Sequence, residues 1–182
     1  MRSHGYVREM HDAILLLLLW SGASSTPQPL VQALRESYQT MRMYLVATGK
    51  MMPEDRYGFK ITPVSRPFGE WIRHTAEMNY GSCAKLRAAA PPNLDRLAAA
   101  KSKEELTNQL EASFHFCDPA FRGITDRKLL TGKALADRQF TPVTEMIGLT
   151  NSLHEHYGNL IAYLRANGLT PPSTLRTQRV LQ

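Results

Sequence analysis

Apolar residues recur at three- and four-residue spacing in four stretches of the chain, the period of a helix with one buried face. The first spans about residues 29–52 and sets Leu30, Leu34, Tyr38, Met41 and Leu45 on one side. Thr26, Pro27 and Pro29 suit its start, and Pro53 ends it. The second spans about residues 67–89, ahead of Pro91 and Pro92, and turns Phe68, Trp71, Ile72, Thr75, Ala76, Met78, Cys83 and Leu86 inward, with His74 at the margin of that arc. The third spans about residues 102–121. It opens on Ser102 and Glu105, whose hydroxyl and carboxylate can satisfy two orphan amide donors reciprocally. Leu106, Leu110, Ser113, Phe114 and Cys117 continue its inner face, and Asp118-Pro119 predicts a weakened or kinked last turn. The fourth starts at Thr141 as cap with Pro142 in the first helical position, and stops at Asn167-Gly168. Between these stretches, residues 53–66 are rich in proline and aromatics and residues 122–139 are polar, which predicts two long connections. The sequence has no strand-like alternation, internal repeat or low-complexity tract. The pattern predicts an all-α fold, a four-helix bundle with long crossover connections over residues 26–170, followed by a loose polar tail, residues 171–182.

One apolar run breaks the pattern. Ala13 to Trp20 is uniformly apolar, with no polar face, and is shorter than the about 20 residues that span a bilayer. Small residues, Ser21 to Ser25, follow at once. This order predicts a secretory leader over residues 1–25, cut around Ala23 to Ser25, and a periplasmic or secreted protein. Arg2 and Arg8 are offset by Glu9 and Asp12, which a true start at Met10 would explain. A buried N-terminal helix is the alternative, but nothing polar punctuates the leucines. Export bears on the two cysteines, Cys83 and Cys117, because an oxidising compartment lets them pair and staple two helices. Two buried free thiols are the other outcome, since sequence does not give the distance between them.

The totals change the picture little. A chain of 182 residues with 43% hydrophobic and 21% charged residues fits one domain with a real core. Its formal charge of +6 makes it basic. The basic residues are scattered rather than clustered, which argues against nucleic acid as a partner. There is no Gly-x-Ser-x-Gly elbow and no phosphate-cradling glycine loop.

Candidate chemistry sits on the fourth helix. Taking His156 as the reference, Leu149, Leu153 and Leu160 fall within roughly 60° of it at about 100° per residue, with Ser152 and Tyr163 on the same side. His154 points roughly 160° away, so the two histidines cannot share an inward site. His156 is then either a core side chain with one hydrogen-bond partner or a metal ligand whose partners come from other helices.

Several segments resemble the DinB-like family of four-helix-bundle proteins. They are Ser37-Tyr38 through Met52-Pro53-Glu54 with Tyr57 and Phe59, then Phe68 to Tyr80, residues 110–118, and His154 to Arg165 with Gly168 to Pro172. The resemblance implies a divalent metal, zinc or nickel, held by one histidine of the second helix and an H-x-x-x-H pair of the last. His74 matches the first position and His156 the second member of the pair, but Ser152 occupies the third ligand position. Serine is a poor ligand for these metals beside imidazole. Metal-dependent hydrolysis or thiol transfer is the activity the resemblance implies. A non-catalytic bundle that binds a small molecule or a partner is the alternative reading. Homodimers are common among such bundles and are admitted here.

Overall fold

The computed structural model describes residues 27–131 and 141–180; the leader expected at residues 1–25 lies outside them. The four amphipathic stretches form the long helices α1 (Pro29–Met51), α2 (Phe68–Leu86), α4 (Lys103–Arg122) and α6 (Pro142–Ala166), and three short helices join them, α3 (Asp95–Ala99), α5 (Asp126–Thr131) and α7 (Pro172–Val180). No strand occurs among the described residues, and the fold is all-α. The caps are those the sequence announces. Ser102 and Glu105 make a reciprocal capping box on α4, Thr141 caps α6 through the Thr144 amide, and Gly168 takes the left-handed turn after α6 at φ 72°. Helix α4 continues through Pro119 to Arg122, so the proline stands inside its last turn.

Each long helix packs on two others: α1 on α4 and α6, and α2 on the same two. Helices α1 and α2 are therefore diagonal, as are α4 and α6. Cross-contacts fix the directions. Tyr38 stacks on Phe121 while Arg42 pairs with Asp118, so α1 and α4 are antiparallel. Asn79 bonds Ser113 and Cys83 joins Cys117, so α2 and α4 are parallel. Trp71 reaches Tyr163 while Lys85 reaches Glu145, so α2 and α6 are antiparallel.

This topology requires three long connections rather than two. Residues 52–67 cross the diagonal at one end of the bundle, and α4 ends and α6 begins at the other. Between them, residues 87–102 return along the bundle, because parallel α2 and α4 must start at the same end. Helix α2 is about 28 Å long at 1.5 Å per residue, within reach of a 16-residue strap of up to about 50 Å. Leu97 of α3 is buried, and the Arg73 guanidinium ties the strap down by donating to the carbonyls of Leu97, Ala98 and Ala100.

Tyr38, Leu45, Phe68, Ile72, Phe114, Leu153 and Leu160 fill the core. Cys83 and Cys117 are buried there and bonded, with Cα atoms 5.2 Å apart, so the bridge of the two open outcomes is the one formed. The cap of α1 comes from elsewhere than its own start: Asp126 of α5 accepts from the Leu30 and Val31 amides at 3.1 and 2.8 Å. Where polar composition predicts a loose tail, α7 packs on α1, and Ser173 is held from both sides by the Tyr157 hydroxyl at 2.9 Å. Among the described residues no helix is long and apolar enough to cross a membrane.

Candidate functional site between α2 and α6

The antiparallel pair α2 and α6 brings His74 and His156 together at the end of the bundle where residues 52–67 cross. Their ring centroids are 4.9 Å apart. The face of α6 is the one expected: Leu149, Leu153, His156 and Leu160 are buried, whereas His154 is exposed and bonds the Thr150 carbonyl. His74 is half-buried.

Thr75 sets the chemistry of His156. Its hydroxyl lies 2.8 Å from the Trp71 carbonyl and 3.1 Å from His156 Nδ1. A hydroxyl has one proton, and the carbonyl can only accept, so Thr75 donates to Trp71 and accepts from His156. Nδ1 therefore carries the imidazole proton, and Nε2 keeps its lone pair. Burial, the nearby His74 and the Arg66 guanidinium push the His156 pKa down to about 4, so the ring is neutral at physiological pH. Burial and Arg66 also lower that of His74, against the opposing influence of Glu77 and Glu155. Glu77 Oε2 is 3.9 Å from His74 Nδ1.

Aromatic rings surround the histidine pair. Trp71 lies beside the histidine pair, with its centroid 5.4 Å from that of His156 and 6.1 Å from that of His74. Its indole N–H donates to the Tyr163 hydroxyl at 3.3 Å, and that hydroxyl donates in turn to the Arg66 carbonyl. The Arg66 guanidinium sits over the Trp71 ring, 4.7 Å from its centroid.

Ser152, at the third ligand position, is half-buried on α6, one turn before His156, and Glu77 flanks His74. Glu70 pairs with Arg73, whose guanidinium faces the strap. Two imidazoles suit zinc or nickel as donors. Among the described residues no group of three or more His, Cys, Asp or Glu is arranged to hold a metal. The donor set thus offers two places, not the three of a catalytic zinc site. Sequence reasoning placed Thr75, Trp71 and Tyr163 on inner faces without a role and left Arg66 out of the site. Spacing identifies an inward residue, but not the partner it meets across 81 positions, as Thr75 meets His156.

No family model and no curated protein matches the sequence. Two solved structures share its architecture. A DinB-like protein from Bacillus cereus ATCC 10987 superposes with a TM-score of 0.64 at 15% identity, covering 78% of this chain and 95% of that one. A conserved protein from Enterococcus faecalis superposes with a TM-score of 0.59 at 14% identity, covering 77% and 97%. The chain has the DinB-like fold.

Proposed function

We propose that the crevice between α2 and α6 binds a divalent cation, zinc or nickel, through His74 and His156, in a protein exported to the periplasm or beyond. The observation that carries this reading is the Thr75–His156 bond. Metal-binding histidines characteristically donate one ring N–H to a fixed acceptor and bind through the other nitrogen. Here that leaves Nε2 of a neutral imidazole as the donor, beside a second imidazole. Water or a bound small molecule takes the remaining positions. With two protein donors the reading is one of binding, and hydrolysis or thiol transfer is no part of it. Export is supported by the leucine run before Trp20 and by a disulfide that an oxidising compartment favours.

Elemental analysis of the purified protein tests the cation. About one zinc or nickel per chain is expected in the wild type, with loss of most of it in His156→Ala. A metal-free wild type whose melting temperature is unchanged by chelator would sink the reading. N-terminal sequencing after export tests the leader, and a retained Met1 would remove it.

A further inference from the structure

Helix α1 carries more apolar surface than the core uses. Its inner face holds Tyr38, Met41 and Leu45, all buried. Tyr44, Ala47 and Met51 recur at three- and four-residue spacing on a second stripe, with Met43 beside them. That stripe is centred roughly 140° from Leu45 at about 100° per residue. Helix α7 packs on α1 without closing over the stripe. An open hollow of about 640 Å³ remains, lined by Met43, Ala47, Met51, Pro172 and Leu175 together with Tyr44 and Arg176. Its volume lies within the range of small-molecule sites, about 300–1,000 Å³. Met43 is 49% exposed there.

The walls are held in place without an occupant. The Tyr44 ring stacks on Tyr157 at 5.1 Å, and the Tyr157 hydroxyl fixes Ser173 at the start of α7. Pro172, the first residue of α7, is buried. Met43 and Met51 are the adaptable part of the lining, since an unbranched thioether fits itself to an apolar neighbour. Charge distinguishes one end. Arg176 is the one charged side chain lining this hollow among the described residues. Its guanidinium approaches the Tyr44 hydroxyl at 3.5 Å, and no carboxylate among the described residues forms an ion pair with it. Arg176 also borders a smaller, polar hollow with Glu36, Gln39 and Thr40. Glu36 stands two turns before Tyr44, about 12 Å along α1 at 1.5 Å per residue, and is exposed to water. The apolar hollow itself is therefore left with a positive lining.

We infer that the groove between α1 and α7 binds a medium-length fatty acid, its alkyl chain along Met43, Ala47 and Met51 and its carboxylate on Arg176. The stripe from Met43 to Met51 is about 12 Å long at 1.5 Å per residue, which suits a linear chain. The planar guanidinium matches the two oxygens of a carboxylate. No residue lining this groove belongs to the histidine site, so the inference stands apart from the cation reading and needs no metal.

Calorimetric titration of the purified protein tests it, with the methionine methyl resonances locating the site by NMR. The probes are decanoate below its micelle concentration, octanoate, decanol and decylamine. Decanoate should bind saturably and shift the Met43 and Met51 methyls. Octanoate should bind more weakly, by up to about fourfold for each methylene removed. Arg176→Ala should weaken decanoate about tenfold, to the level of decanol, and Arg176→Lys should recover part of the difference. Ala47→Phe places a ring in the open hollow and should abolish binding while the melting temperature stays near that of wild type, which separates a filled site from a lost fold. Decanoate binding equally well to Arg176→Ala and wild type, or decylamine binding as tightly as decanoate, would overturn the assignment. So would a dimer that binds no decanoate and that Met43→Asp splits into monomers, because the stripe would then be covered by a second copy.

Discussion

His156 is the residue whose state the fold controls most closely. It is 5% exposed, and its one proton is committed to Thr75. Protonating Nε2 would place a charge in a buried crevice beside Arg66 and His74, and this holds its pKa at about 4, below the ordinary 6.5. The sign of the consequence follows from linkage. As pH falls, the unfolded chain takes up the proton first, so the unfolded state binds more protons and stability declines. The contribution is complete above pH 6.5 and is lost progressively as pH falls from there through about 4. Urea denaturation in chelator should therefore show a steeper loss of stability over this window in wild type than in His156→Gln. Parallel curves would contradict it.

At the scale of elements, the short pieces are held by side chains from the long ones. Helix α3 has five residues, too few to persist alone. What holds it is burial of Leu97 and the three carbonyls that Arg73 engages from α2. Arg73→Ala should release the strap without unfolding the bundle. Proteolytic cleavage within residues 87–102 should then accelerate several-fold, because cleavage follows the population of the locally open form. Unchanged cleavage would mean that Leu97 alone retains the strap. Helix α5 shows the reverse dependence, since Asp126 supplies the carboxylate that caps α1 and meets the positive end of its dipole.

For the whole molecule, the bridge between Cys83 and Cys117 matters most. It closes a loop of 34 residues and joins two parallel helices that share no short connection. The chain-entropy relation gives about 4 kcal/mol for a loop of that size. The double variant Cys83→Ala/Cys117→Ala should unfold at markedly lower urea, with a loss on the order of that value. A thiol count on denatured protein without reductant should find neither cysteine free, and two free thiols would refute the bridge. The bridge makes its contribution where the environment keeps it oxidised, in keeping with the proposed export.

What the sequence determined was local. Helix periodicity, the Ser102–Glu105 box, Thr141-Pro142 and Asn167-Gly168 each act within a few residues, so the four long helices and their inner faces were legible to within a few positions. The separation of His156 from His154 follows from the same arithmetic. Tertiary structure decided which helices are neighbours and which way they run, because that depends on which chain ends meet. It decided that α2 and α4 are parallel, and so made residues 87–102 a strap. The short helices escaped the pattern because their stability comes from Leu97, Leu129 and the Tyr157–Ser173 contact rather than from their own sequence. The site divided in the same way. Its two histidines could be named from spacing and resemblance, but the tautomer of His156 and the hold of Tyr163 on the Arg66 carbonyl arise only where distant segments touch. A long-range hydrogen bond is a property of the pair, and neither member's sequence context encodes it.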